Sequence, residues 1–323
     1  MSTLERSPFA RLRARLADAV GAETEADRER LRIRLLSVPF LALAAFGAFV
    51  PLAEMIRMST STSSFAIEGF TLDAYAEIFT SIAAFLPGTA IDANPVYGSV
   101  IWNSLWFGTV TTLASVAVGI AIAHGLEKYD LPREGLLVTL ISFPISLPGI
   151  VAAFMMIVLF GKTGLLTNFV TFLTGAEANA VKLTGQPSGT TLAILGLFLG
   201  YCYSMIPRAT FILRGTYAEV NTDAEEAARS LGATPWQTFR YVTLPQIRPG
   251  IVGALILTFR TALAIFGTVL VLKALSVVTF RFNQEISVGF DLPMASALAT
   301  LFFVFTVLFT FAGLRFTSAE VAA

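Results

Sequence analysis

Arg260 is an ionisable side chain near the middle of a long apolar stretch, which makes it a candidate working residue in this sequence. A charge placed in the hydrocarbon layer of a membrane costs a few kcal/mol even when the side chain can adjust. The arginine should therefore face other protein or a watery path. Two interpretations follow: Arg260 lines a route for a solute or pairs with a carboxylate of another subunit, or it anchors backbone carbonyls within the fold.

Two prolines, Pro144 and Pro148, interrupt another apolar stretch just before Gly149. Proline removes a helical hydrogen bond and clashes with the preceding turn, so these residues should kink or break the helix. The carbonyls freed there need partners inside protein, and such irregular backbone often borders a pathway. Packing without contact to a pathway is the other interpretation.

Asn103 begins a polar stripe that also contains Ser104, Thr109, Thr111 and Thr112. Small and polar side chains at helical spacing commonly join membrane helices to one another. We therefore expect this stripe mainly to mediate helix packing, with a role of Asn103 in a solute pathway as the alternative.

The composition indicates what kind of fold must position these residues. Of the 323 residues, 55% are hydrophobic and 14% are charged, whereas ordinary soluble domains carry about 25% charged residues. The chain is therefore predicted to be an integral membrane protein. One cysteine and one histidine leave no cluster for a metal, so no metal site is expected. His124 should cap a helix end or lie on the surface, and zero net charge gives no reason to expect a nucleic-acid partner.

Six apolar segments are long enough to cross a hydrocarbon layer of about 30 Å as helices. They do not alternate polar with apolar residues, which argues against the strands of a barrel. The sequence therefore predicts an all-α polytopic membrane protein with six transmembrane helices. The predicted spans are residues 35–53, 100–123, 135–160, 190–206, 249–272 and 292–314.

A polar segment, residues 222–245, separates the fourth and fifth spans and begins with a helix start. Thr222 and Glu225 have the spacing of a capping box, in which the two side chains satisfy free backbone amides. Gly232 stands where a helix of about ten residues would need a left-handed residue to end. A first short helix ending at Gly232 is predicted.

The same segment then contains a second helix start. Thr234 and Gln237 form another capping-box pattern, and Pro235 occupies the first helical position, where a missing N–H is harmless. Leu244 and Pro245 are predicted to end this second helix. The segment is thus read as a helix, a glycine turn and a helix, exposed to water between two spans.

The residues of this hairpin resemble the EAA loop of the membrane subunits of binding-protein-dependent ABC importers. The likeness covers Glu226-Ala227-Ala228, Gly232 three residues on, and the sequence Val-Thr-Leu-Pro that ends at Pro245. That family usually has isoleucine where this chain has Val242. The resemblance implies that the loop docks on an ATP-binding subunit through the following positions: Glu225, Glu226, Ala227, Ala228, Gly232, Leu244 and Pro245.

The resemblance also implies the role of the chain and its partners. The chain would be a permease subunit of the type I fold that forms the translocation pathway in the lipid bilayer and catalyses no reaction. Two ATPase subunits, a second permease subunit, identical or homologous, and an extracytoplasmic substrate-binding protein would complete the transporter. The chain itself would bind no cofactor, because the partner subunits use the ATP.

The distribution of positive charge predicts the orientation. Arginine and lysine are concentrated in the segments that share a side with the N-terminus, which the positive-inside rule places in the cytoplasm. We expect a cytoplasmic leader at 1–34, a transmembrane domain at 35–315 with its coupling loop at 221–245, and a cytoplasmic tail at 316–323. The leader should contain a basic amphipathic helix, which either lies against the membrane surface or is solvated and has no specific role. A prokaryotic inner membrane is the expected location.

Residues 143–154 and 159–166 resemble the third span of permeases for polyamines, ferric iron, sulfate and aminoethylphosphonate. The resemblance thus implies a small polar or charged substrate without choosing among these classes. The alternative function is an ion-coupled secondary transporter, which would place several ionisable residues near the middle of the membrane. A membrane-embedded enzyme would need a cluster of His, Asp or Glu at a membrane face, and this chain has one histidine, which disfavours that alternative.

Overall fold

The computed structural model of the chain describes residues 25–64, 68–89 and 91–321, and for residues 25–35 and 316–321 it describes the backbone alone. Every regular element in these ranges is helical. Six helical segments are long and apolar enough to cross a membrane, which confirms the predicted six-span, all-α fold. They are Leu36–Ser59, Val96–Lys128, Gly149–Thr174, Thr191–Tyr217, Pro235–Ala264 and Leu292–Arg315.

The first span belongs to helix α1, Glu25–Ser59, which contains Pro39 and Pro51. The described residues up to Arg57 form a unit of their own. The side chains of the span are almost all exposed within the chain, as expected for a helix that faces lipid or another subunit. The basic amphipathic helix predicted in the leader lies outside the described residues.

The other unit begins at Met58 and contains the remaining helices. In chain order they are α2 Asp73–Phe85, α3 Val96–Lys128, α4 Glu134–Ser142, α5 Gly149–Phe160, α6 Leu165–Thr174, α7 Ala178–Val181, α8 Thr191–Tyr217, α9 Thr222–Ser230, α10 Pro235–Thr238, α11 Leu244–Ala264, α12 Gly267–Leu272, α13 Val278–Gln284 and α14 Leu292–Val321.

Helix α8 is the centre of this unit and packs against α3 and α11. Small residues permit the close approach: a Cβ added to Gly119 would lie 3.0 Å from the Ala209 side chain, and one added to Gly250 would overlap Thr216. Close packing through such residues is a general feature of membrane helices. One end of the α8 core surrounds Leu197 and the other surrounds Leu213, and both side chains are fully buried.

The third span is interrupted at the predicted prolines. Helix α4 ends at Ser142, a single 3₁₀ turn covers Phe143–Ser146, and α5 starts afresh at Gly149. The predicted break is therefore confirmed, whereas the predicted bounds of 135–160 are wrong, because the apolar segment continues through α5 and α6 to Thr174. Proline lacks the N–H that a continuous helix would need at these positions.

The fifth span differs from its predicted bounds of 249–272. Its helical segment begins at Pro235, well before residue 249, and ends at Ala264, after which Ile265 and Phe266 interrupt the helix before α12. The predicted stop at Leu244 and Pro245 is also wrong. Residues Phe239–Thr243 form a π-turn in which the Leu244 amide bonds to the Phe239 carbonyl, so that Pro245 falls in a first helical turn that needs no proline N–H.

Candidate functional site

Residues 221–245, called the hairpin below, form a helix, a tight turn and a second short helix between α8 and α11. The first helix, α9, is capped by Asn221, whose side-chain oxygen accepts from the amides of Asp223 at 2.9 Å and Ala224 at 3.3 Å. The predicted cap, Thr222, is instead the first helical residue. The short asparagine side chain, one position earlier, reaches these amides and takes over the capping role.

Glu225 does not complete a capping box, because its carboxylate turns inward and is 2% exposed. One oxygen pairs with the Lys128 ammonium group at 2.7 Å, and the other accepts a hydrogen bond from the Thr243 hydroxyl. Arg229 lies 3.8 Å from the same carboxylate. Glu225 thereby joins the hairpin to the end of α3 and to the π-turn before α11.

Burial by itself would raise the pKa of Glu225 above its ordinary value. The hydrogen bonds from Lys128 and Thr243, with the positive charges of Lys128 and Arg229, outweigh burial and lower the pKa. The carboxylate is therefore ionised throughout the neutral range. A buried charge with such partners is costly to leave unpaired, so the contact to Lys128 is a strong constraint on the position of α9.

Gly232 adopts the left-handed conformation that the sequence predicted, with φ of 88°. Its amide bonds to the Arg229 carbonyl at 2.9 Å, and the next amide, of Ala233, bonds to the Ala228 carbonyl at 3.1 Å. This pair of bonds is the Schellman arrangement that closes a helix end. A Cβ added at Gly232 would meet open space, so the position requires glycine for its backbone conformation and not for lack of room.

The second helix, α10, has the predicted capping box. The Thr234 hydroxyl accepts from the Gln237 amide at 3.3 Å, and the Gln237 side chain accepts from the Thr234 amide at 2.8 Å. Pro235 occupies the first turn as predicted. The two ends of the hairpin meet where the Asn221 amide donates to the Gln246 side chain at 2.9 Å.

The outer face of the hairpin carries large apolar side chains that none of the described residues covers. Leu231 is 89% exposed, Tyr241 71% and Trp236 65%. Glu226 and Ala227 are exposed on the same segment. Apolar side chains gathered on one exposed segment often mark a site of protein contact. Of the other residues singled out in the sequence, Pro245 is exposed, whereas Ala228 and Leu244 are half-buried.

Beneath the hairpin lies a pocket that the sequence analysis missed. It is lined by polar and aromatic groups from the end of α3 and from both hairpin helices, among them His124, Lys128, Glu225, Arg229 and Phe239. The His124 ring lies between Tyr129, Tyr217 and Phe239, and its Nδ1 is 3.2 Å from the Tyr217 hydroxyl. The predicted surface or capping role of His124 is therefore wrong. The sequence did contain a signal for this pocket: His124 and Lys128 are four residues apart, about one helical turn, which places both side chains on one face of α3.

The remaining predicted residues lie away from the hairpin. Arg260 is exposed in the last turns of α11, and none of the described carboxylates forms an ion pair with it. Pro144 and Pro148 flank the break before α5. Asn103 donates to the Ser276 carbonyl at 3.1 Å and accepts from the Trp106 indole at 3.2 Å, so its amide holds α3 against the segment before α13.

Residues 115–318 match the family described as the binding-protein-dependent transport system inner membrane component. This match covers more than half of the chain and includes the hairpin and the last four spans. The chain belongs to this family, whose members are membrane permease subunits of ABC importers. It is a multi-pass membrane protein with that role.

Individual relatives include the sulfate transport system permease protein CysW of Synechococcus elongatus, 32% identical over 53% of this chain and 55% of that protein. CysT of Escherichia coli is 27% identical over 68% and 76%, respectively. The spermidine/putrescine permease protein PotB of Haemophilus influenzae is 25% identical over 62% and 73%. The alignment with CysW thus spans about half of each protein.

A solved structure, that of a bacterial ABC transporter involved in the import of the acidic polysaccharide alginate, has the same fold. Its matching chain superposes with a TM-score of 0.72 at 16% identity, over 90% of this chain and 96% of that chain. At this identity the likeness concerns the fold alone.

Proposed function

We propose that the hairpin transmits the work of ATP hydrolysis from partner ATPase subunits to the spans of this permease. Its construction supports the proposal: both helices are capped, the turn at Gly232 is closed by two backbone bonds, and Glu225 is locked to Lys128. The outer face meanwhile presents Leu231, Trp236 and Tyr241 to a partner. The single observation that carries the proposal is this combination of a rigid base with an uncovered apolar face.

Coupling of this kind requires a difference in binding free energy between two arrangements of the transporter. Nucleotide bound to the ATPase subunits must favour one arrangement, and a stiff connection must carry the change to the bundle. The hairpin continues through the π-turn directly into α11. A displacement of α10 would therefore move the fifth span without an intervening flexible loop.

The complete transporter in this proposal contains two ATPase subunits, a second permease subunit and an extracytoplasmic binding protein. ATP is consumed by the partners, and this chain binds no cofactor and catalyses no reaction. The membrane is a prokaryotic inner membrane with the hairpin and both termini in the cytoplasm, which agrees with the excess of arginine and lysine on that side. Names of relatives support a small polar or charged substrate, since they include sulfate and spermidine/putrescine permeases.

The proposal is tested by purifying the tagged permease from cells that also produce its ATPase subunit. Replacing Glu226 by lysine reverses an exposed charge on the outer face of the hairpin. We expect the recovery of the ATPase subunit to fall about tenfold, which corresponds to a loss of about 1.4 kcal/mol in binding free energy. Glu177→Lys makes the same change at an exposed position outside the hairpin and should leave recovery unaltered. Full recovery with both Glu226→Lys and a second variant, Trp236→Ala, would show that the ATPase binds elsewhere.

A further inference from the structure

The charges of the described spans between residues 96 and 315 are almost all positive. Their one carboxylate, Glu127, lies at the hairpin end of α3 and pairs with Arg214 at 2.5 Å. Several of the cations also lie near span ends, but Arg208 lies in the interior of α8 and Arg260 lies before the last turn of α11. The interior of these spans therefore offers positive charge and no negative charge to a solute.

The packing of α8 against α11 shows that these two arginines lie at a similar depth. Gly250 of α11 contacts Thr216 of α8. Arg260 is ten residues beyond Gly250 and Arg208 is eight residues before Thr216. At 1.5 Å per residue, these separations correspond to about 15 Å and about 12 Å along the two helices from the contact.

Neither arginine has its charge neutralised within the described part of the chain. The Arg208 guanidinium group donates to the carbonyl of Ser204 at 3.0 Å and to the Ser204 hydroxyl, both on its own helix. Arg260 is exposed on a face of α11 that also contains the exposed Ala264, and a Cβ added at Gly253 on that face would meet open space. A guanidinium group at this depth needs water or an anion beside it.

We propose that Arg260 and Arg208 form an anion-attracting zone in the translocation pathway and that the substrate is a small oxyanion of the sulfate or phosphonate class. This inference rests on the proposed permease pathway and narrows its substrate. A guanidinium group can bind two oxygens of such an anion through parallel hydrogen bonds. A polyamine would instead meet two positive charges without a carboxylate between them, which disfavours its passage.

The sign of the potential beside Arg260 can be measured with a single introduced thiol. The chain has one cysteine, the buried Cys202, so Cys202→Ala followed by Ala264→Cys leaves one reporter a turn beyond Arg260. The permease with its ATPase subunits is placed in lipid nanodiscs and treated with anionic and cationic methanethiosulfonate reagents of similar size. Ala180→Cys, at an exposed position of α7, supplies the reference ratio of rates in open water.

We expect the anionic reagent to be favoured at residue 264 by about tenfold relative to the reference, as a cleft lined by one sign of charge concentrates the opposite sign. Adding Arg260→Gln should remove most of this preference. Arg315→Gln removes an exposed arginine at the end of the sixth span and should leave the preference unchanged. If Ala264→Cys fails to assemble, Gly253→Cys provides a second reporter on the same face.

Three results would overturn the inference: a preference for the cationic reagent, no dependence on Arg260, or no reaction with either reagent. The last result would show that lipid or another subunit covers this face, including the case in which a carboxylate of the second permease pairs with Arg260. Recovery of the ATPase subunit is scored separately on each preparation. Loss of recovery with the unaltered permease would count against the coupling role of the hairpin, whereas normal recovery without anion preference would count only against the anion-attracting zone.

Discussion

The hairpin and the two helix breaks, at residues 143–148 and 265–266, both depart from straight helix, but they are stabilised differently. In the hairpin, free backbone groups are satisfied by side chains a few residues away, such as Asn221 and Gln237. At the breaks the partners are distant in sequence: the Thr268 hydroxyl donates to Gly149 at 3.2 Å, and the Thr279 hydroxyl donates to Ile265 at 3.2 Å. The hairpin is thus a locally determined rigid unit, whereas the breaks depend on how the helices pack.

This difference suggests a division of labour in transport. A unit whose internal bonds are local can move as a whole without losing them. A break whose carbonyls are held by neighbouring helices can exchange those partners when the helices shift, because packed interfaces switch between discrete arrangements.

The largest effect is expected from Lys128→Met, which leaves the buried Glu225 carboxylate without its closest cation. Removing one partner of a buried pair typically costs about 3–5 kcal/mol. The hairpin should detach from the end of α3 and become sensitive to protease in the purified complex. Lys162→Met, at an exposed position, is the control. The double variant Lys128→Met with Glu225→Gln should regain protection, and equal sensitivity of the single and double variants would contradict the role of the ion pair.

The same variant should reverse the pH dependence of the hairpin. In the native chain the pKa of Glu225 is lowered, so its contribution to stability is present above the ordinary value of 4.5 and is lost as the pH falls through the lower folded value. Without Lys128, burial dominates and raises the folded pKa, so stability is greatest in acid and falls as the pH rises. Protease protection of the native hairpin should therefore be similar at pH 5 and pH 8, whereas that of Lys128→Met should be greater at pH 5 than at pH 8.

A smaller loss of stability, about 1–2 kcal/mol, is expected for Gly232→Val. The left-handed conformation costs a residue with a side chain about this much, and it is least favourable for a β-branched residue. The protein should remain in the membrane while transport is lost. Gly232→Ala should show a weaker defect, and Gly125→Ala, in helix α3 with equal room for a Cβ, should show none. Normal uptake by Gly232→Val would contradict the need for a tight turn.

Replacing the observed helix cap should cost about 1 kcal/mol, the usual value for loss of such a residue. Asn221→Ala removes the oxygen that accepts from two amides, whereas Thr222→Ala removes the residue that the sequence pattern favoured. Hydrogen exchange of the Asp223 and Ala224 amides should accelerate in the first variant and not in the second. The opposite ranking would restore Thr222 as the cap.

The smallest effect is expected at the break in the third span. Pro148→Ala removes a rigid residue at an exposed position, but the bond from Thr268 to Gly149 remains, so stability should change by about 0.5 kcal/mol. Thermal unfolding and uptake are both expected to stay near native values. A large change would show that Pro148 itself, rather than the packing of α12 on α5, produces the break.

Much of the fold and site was predictable because the signals are local. Six long apolar runs were enough to predict six membrane helices, because in hydrocarbon a helix is one of the few structures that satisfy every backbone hydrogen bond. The left-handed turn at Gly232 and the box formed by Thr234 and Gln237 were also predictable, because each depends on residues within one helical turn. The ends of the spans were predicted less accurately. Pro245 was wrongly predicted to end a helix, because the π-turn before it, which no short sequence pattern predicts, places Pro245 in the first turn of α11.

Contacts between distant residues were decided only by the tertiary structure. Glu225 has the spacing of a local cap, yet it pairs with Lys128, 97 positions earlier in the chain, because folding brings this cation and the Thr243 hydroxyl to its carboxylate and they offset the cost of its burial. The depth shared by Arg208 and Arg260 likewise follows from the contact of Gly250 with Thr216, since no sequence pattern aligns two helices. The sequence by itself determined the helices, their caps and the membrane environment, and packing decided which charges meet.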